Sequence, residues 1–238
     1  MRTTGTSLLL LAGLLATGAA AGAGEWGGFL AGTSDYVYRG ASQTHGRPAL
    51  QGDLHFESAS SAFAGLWAST AQPGTRSETT VELNAYAGRS WLIAPDWRAK
   101  LTATHYAYLD TVWRGPGDHD EIAGSLSFRD RIFASVAWSP NFSGYSQSAV
   151  RARHPVASYE LATHLPVARD WYFSGGLGYY DLSRFLDSGH WFWSGGIGYG
   201  RARYQVDLAY FGLDADATGL PYGKSTRATS ALTLTWRF

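Results

Sequence analysis

The chain has 238 residues, no cysteine and zero formal net charge from 19 basic and 19 acidic side chains, which excludes a disulfide framework, thiolate chemistry and a basic nucleic-acid footprint. Charged residues are only 16% while aromatics reach 15% and glycine supplies 29 positions, a mixture rich in strand formers and poor in the charge of ordinary soluble domains. After residue 23 no apolar run approaches the roughly 18 residues of a membrane helix, so helical spans are excluded from the mature chain.

The N-terminus reads as an export signal. Arg2 gives a positive start, 7–15 is a short apolar stretch, and Ala19-Ala20-Ala21 and Ala21-Gly22-Ala23 are both small-residue cleavage patterns. The expected division is a signal peptide over 1–23 and one domain over 24–238, with the mature start near Gly24 or Glu25.

Downstream, alternating segments are separated by links that are themselves alternately short and long. Strands are predicted over 26–39 and 50–58, joined by the polar loop 40–48, and over 63–71 after the tight Ala59-Ser60-Ser61 link. The loop 72–78 leads to a strand over 79–91, the turn Ala94-Pro95-Asp96, and a strand over 97–110. The Gly/Pro loop 111–118 precedes a strand over 119–129, and Asp130-Arg131 links it to one over 132–141. The loop 142–153, a strand over 156–165 and the turn 166–170 follow. The last strands are 171–182, 190–199, 203–213 and 226–238, joined by 183–189, 200–202 and 214–225.

These make about twelve strands of roughly the 9 to 11 residues that a tilted membrane strand needs. The predicted fold is all-β, a single closed antiparallel transmembrane β-barrel with short periplasmic turns and longer extracellular loops. Closure is required because hydrocarbon offers no partner to an open sheet edge, so the first and last strands should pair. In the final segment Leu232, Leu234, Trp236 and Phe238 share one face and Thr233, Thr235 and Arg237 the other. A terminal aromatic on such a strand is the form in which outer-membrane barrels commonly meet their assembly machinery, so Trp236 and Phe238 are the candidate assembly signal. Trp91, Trp97, Trp171 and Trp236 near the short turns, and Tyr36, Tyr38, Tyr108, Trp191, Trp193 and Phe211 near the long loops, are expected to form two interfacial girdles.

Parity then selects candidate lumen residues. Asp35 and Arg39 share one face of the predicted first strand, with Tyr36 and Tyr38 on the other. Asp53, His55 and Glu57 oppose Leu54 and Phe56; Glu82 and Asn84 oppose Val81 and Leu83; Glu121, Glu160 and Asp207 also lie opposite apolar neighbours. A charge facing lipid at mid-depth costs about 2–4 kcal/mol for Arg or Lys, so Asp35, Arg39, Glu57, Glu82, Glu121 and Asp207 are the candidate lumen lining. They either line a water-filled path or pair and close it. His105 shares a face with Leu101 and Leu109, and only a bulge or a reversed assignment would turn it inward.

No enzyme signature competes. The related stretches 171–179 and 191–199 are glycine-rich, yet neither holds a complete G-x-G-x-x-G before a helix. Neither G-x-S-x-G, S-x-x-K nor H-E-x-x-H occurs, and the seven histidines lack zinc-like spacing, so no catalytic residue, metal or cofactor is expected.

The stretch Ser34-Asp-Tyr-Val-Tyr-Arg-Gly-Ala-Ser-Gln-Thr44, followed by Pro48-Ala-Leu-Gln-Gly52, resembles the opening signature of the TorF-type porins, the Gcw_chp family. Similarity continues through Gly65-Leu-Trp-Ala-Ser69, Glu82-Leu-Asn-Ala-Tyr-Ala-Gly88, Tyr106-Ala-Tyr108 and Asp207-Leu-Ala-Tyr210. One departure is Tyr106-Ala-Tyr108-Leu-Asp110, where the family pattern has Tyr-x-Tyr-Pro-Gly. The resemblance implies an outer-membrane barrel and a pore, and brings no catalytic residues.

The expected function is passive diffusion of small polar solutes or ions across the outer membrane of a Gram-negative bacterium. Expected partners are outer-membrane lipid, lipopolysaccharide and the barrel assembly machinery, with no nucleic acid. The rival readings are a closed barrel serving as anchor or adhesin, and a lipid-modifying hydrolase.

Overall fold

Alternation in the sequence becomes two-sidedness in the sheet, because successive side chains of a strand point to opposite faces. The computed structural model describes residues 24–72, 79–109, 117–142, 153–186, 188–214 and 228–238. The segment expected to be a signal peptide and most of the long loops lie outside the described residues.

The first barrel strand is β1 (Glu25–Thr33), followed by a small hairpin of β2 (Val37–Tyr38) and β3 (Ala41–Ser42). The meander continues with β4 (Ala49–Glu57), β5 (Ala62–Ala71), β6 (Thr80–Ala94), β7 (Trp97–Leu109), β8 (His119–Phe128) and β9 (Ile132–Phe142). Then come β10 (His154–Pro166), β11 (Trp171–Asp181), the single helical turn α1 (Ser183–Leu186), β12 (His190–Arg201), β13 (Tyr204–Leu213) and β14 (Ala228–Arg237). Twelve strands, all but β2 and β3, form one closed antiparallel ring in sequence order, sealed where β1 pairs with both β14 and β4. At the seam, Gly28 and Phe238 exchange both backbone hydrogen bonds, at 3.2 and 3.1 Å. Among the described residues the ring has no open strand edge.

The two glycine-rich repeats turn out to be partners. They lie side by side on β11 and β12 with Trp171 opposite Tyr199 and Gly175 opposite Gly195. The inward Tyr172 ring occupies the space that a side chain at Gly198 would need. The repeats are therefore a packing device in the wall, in which missing side chains leave room for neighbouring aromatic rings.

The polarity of the ring is inverted relative to a soluble protein. Leu50, Leu66, Leu161, Leu208 and Leu234 are 72%, 52%, 56%, 54% and 56% exposed on the outside, while Glu82, Asn84, Glu121, Thr233 and Ser139 are buried within. So large an apolar skin needs a nonpolar surrounding. Trp91, Trp97, Trp171 and Trp236 sit in the outer face near the short turns, and Trp191 and Trp193 near the long loops. His105 keeps the outward parity of its strand without a bulge, where Asp120 Oδ1 accepts a hydrogen bond from its Nδ1 at 2.8 Å.

One expectation about the first strand requires correction. The barrel strand ends at Thr33, not at residue 39, and residues 34–48 form a loop, L1, that turns into the barrel. Strand parity therefore stops at Thr33, and Tyr36 and Tyr38 belong to the interior, not to an outer girdle. Tyr108 and Phe211 also point inward, because they share parity with Tyr106 and with Asp207.

Candidate functional site

L1 folds as a two-residue hairpin. Arg39 and Gly40 occupy its turn with φ of 47° and 80°, and Tyr38 pairs with Ala41. Both positive φ values match a type I′ turn. Gly40 is required twice, since a side chain there would also strike Leu213 and Phe192 on the barrel wall. Arg39 takes the left-handed conformation at a cost of roughly 1–2 kcal/mol, an expense its contacts must offset.

The base of the hairpin is tied by Asp35. Its carboxylate accepts from Ser42 Oγ at 2.5 Å, Thr44 Oγ1 at 2.9 Å and, from β14, Thr229 Oγ1 at 3.0 Å. Thr44 Oγ1 in turn accepts from the Tyr36 backbone N–H at 3.0 Å. The Ser-Asp-Tyr and Ser-Gln-Thr ends of the opening signature are therefore the two halves of one hydrogen-bonded clasp.

Apolar groups carry the hairpin across the lumen. Tyr36 packs with Phe63, Trp67 and Tyr86 on one wall, and its OH donates to Glu82 Oε1 at 3.4 Å. Val37 and Ala41 pack with Phe142, Tyr180, Phe192 and Phe211 on the other. The long-loop half of the lumen is thus bridged in this conformation.

At the tip, the Arg39 guanidinium donates to Glu121 Oε2 at 2.7 Å, with both side chains under a tenth exposed. It also lies 4.7 Å from the Tyr38 ring centroid and 4.6 Å from that of Tyr180. His190 Nε2 donates to the Arg39 carbonyl at 3.3 Å. Burial is the largest single influence on Arg39 and opposes its positive charge, but the Glu121 carboxylate together with Tyr38, Tyr180 and Tyr106 outweighs it and holds the guanidinium above its ordinary ionisation range.

Towards the short turns the interior carries charges of both signs. Asp53 accepts from His55 Nδ1 and from Tyr86 OH, each at 2.6 Å, and Lys100 Nζ stands 4.8 Å from the Phe63 ring centroid. On the opposite wall Asp207 accepts from Tyr172 OH and from Gln205 Nε2, and Arg237 donates to Gln205.

Of the six candidate lumen residues, Asp35, Arg39, Glu82, Glu121 and Asp207 are buried inside the ring, and Glu57 is half-buried at the short-turn end of β4. Arg39 and Glu121 meet directly, Asp35 and Glu82 join them through L1, and Asp207 stays apart on its own wall. The sequence reading assigned no role at the tip to Tyr38, Tyr180 or His190. The Tyr38-Arg39-Gly40-Ala41 stretch carried a signal for this turn, a glycine at the second position of a two-residue link, but a continuous strand period masked it.

Two solved barrels share this architecture. The chain superposes on the KdgM porin with a TM-score of 0.53, 6% sequence identity and coverage of 90% of this chain and 98% of that one. The match to the NanC porin has a TM-score of 0.53, 10% identity and coverage of 87% of this chain and 97% of that one. At these identities the likeness is one of fold. No curated protein sequence matches. The sequence model of Gcw_chp, described as a bacterial protein of unknown function, matches residues 18–237, so the chain belongs to the Gcw_chp family.

Proposed function

We propose that this chain is an outer-membrane channel for the passive diffusion of small polar solutes or ions, narrowed by L1. The observation that carries this reading is the inverted polarity of a closed ring, with leucines outside and carboxylates, hydroxyls and cations inside. The fold shared with two porins supports it. Export by a signal peptide over 1–23, and recognition of the outward Trp236 and Phe238 rings by the assembly machinery, belong to the same proposal. The six charged residues act as lumen groups, with Arg39 and Glu121 meeting where L1 crosses the interior. The test is planar-bilayer recording of the purified mature chain: discrete conductance steps are expected, and their absence across many insertions would contradict the channel.

A second reading, a closed barrel acting as anchor or adhesin, is favoured by the bridging of the lumen by L1. Binding of the barrel to cells without conductance would select it. A hydrolase would need a serine hydroxyl on the other ring nitrogen of His105, whose Nδ1 donates to the Asp120 carboxylate at 2.8 Å, and among the described residues no hydroxyl bonds that ring.

A further inference from the structure

The seat that holds Arg39 is made of residues of the barrel wall. Glu121 gives a carboxylate oxygen at 2.7 Å, and Tyr180, itself buried, presents a ring face 4.6 Å from the guanidinium carbon. Both groups belong to the barrel wall, Glu121 on β8 and Tyr180 on β11, and not to L1.

A buried carboxylate left without its cation is costly, and a cation over an aromatic face is favoured most where water is excluded. The wall therefore favours a planar organic cation at this point for reasons independent of the tether. Arg39 satisfies it from within the chain, helped by the Tyr38 ring that arrives on the same hairpin.

We propose that Glu121 and Tyr180 form a binding site for small guanidinium-type cations, occupied by Arg39 in the docked state of L1, and that a guanidinium-bearing solute competes with Arg39 for it. This deepens the channel reading and rests on it for access, since the seat lies inside the lumen. A tethered competitor acts at an effective concentration on the order of millimolar, so a free cation binds weakly while Arg39 is present and more tightly once its side chain is removed.

The test uses the full mature barrel in detergent, with folding verified by heat-dependent electrophoretic mobility. Isothermal titration with methylguanidinium chloride at constant ionic strength is compared for wild type, Arg39→Ala and the double variant Arg39→Ala/Glu121→Gln. Arg39→Ala is expected to bind saturably at least tenfold more tightly than wild type, and the double variant at least tenfold more weakly than Arg39→Ala. Absence of saturable binding to folded Arg39→Ala, or equal binding by the double variant, would overturn the proposal. If Arg39→Ala fails to fold, Arg39→Gln is judged by the same criteria, and wild type is compared with Glu121→Gln, which must lose whatever weak binding wild type has. Binding without conductance in bilayers would refute the channel and leave the seat; conductance without binding would refute the seat and leave the channel.

Discussion

Arg39 and Glu121 are 82 residues apart in the chain and 2.7 Å apart in space. One sits at the tip of L1, the other on β8, nearly opposite β1 in the ring. Removing one partner of a buried ion pair strands the other, at a cost of about 3–5 kcal/mol. Glu121→Gln is therefore expected to loosen L1 while leaving the ring closed. Hydrogen exchange of the L1 backbone amides would rise by about tenfold or more, since each ~1.4 kcal/mol of lost docking is a factor of ten, while β10–β13 amides stay protected. Unchanged L1 exchange would mean that the pair does not hold the loop.

Gly40→Ala attacks the same hairpin without touching its charge. The turn needs a positive φ at this position, and an added methyl group would meet Leu213 and Phe192. The expected outcome is an undocked or shifted L1, a channel with larger steps than wild type, and a barrel of normal heat-dependent mobility. A variant that conducts like wild type would show that the hairpin tip is not packed against β12 and β13.

Leu161 distinguishes lipid from water outside the ring. It is 56% exposed in the middle of β10. In a soluble protein an arginine there would change stability by no more than about 0.5 kcal/mol, whereas in hydrocarbon it costs about 2–4 kcal/mol. Urea titration of Leu161→Arg folded into lipid vesicles is expected to give the larger loss.

The seam between first and last strands is testable by covalent capture. Gly28 and Phe238 form a hydrogen-bonded pair, which makes Ala31 and Thr235 a non-hydrogen-bonded pair. Such pairs have Cα atoms about 4.5 Å apart, within disulfide reach. Ala31→Cys/Thr235→Cys, in a chain otherwise free of cysteine, is expected to oxidise spontaneously and shift mobility on boiled non-reducing gels. Two free thiols in the folded protein would contradict the closed ring.

Much of this architecture was legible because a barrel strand advertises itself locally. In the terminal segment, Leu232, Leu234 and Trp236 alternate with Thr233, Thr235 and Arg237, and the structure keeps that alternation residue for residue. Glu82, Glu121 and Asp207 were reachable by the same parity. L1 was not. Its residues 34–39 continue the period of β1 without interruption, and only long-range partners on β6, β8 and β14 turn the chain inward. The pairing of the two glycine-rich repeats was also hidden, because register between strands depends on neighbours and not on the period within one strand.

The central claim is that L1, clasped by Asp35 and pinned by Arg39 to Glu121, sets the width of an outer-membrane channel. The most direct measurement is single-channel conductance of wild type beside a variant in which residues 36–43 are replaced by a short Gly-Ser link. The account predicts discrete steps in both, at least twofold larger in the variant. Equal steps, or no steps from the variant, would contradict it.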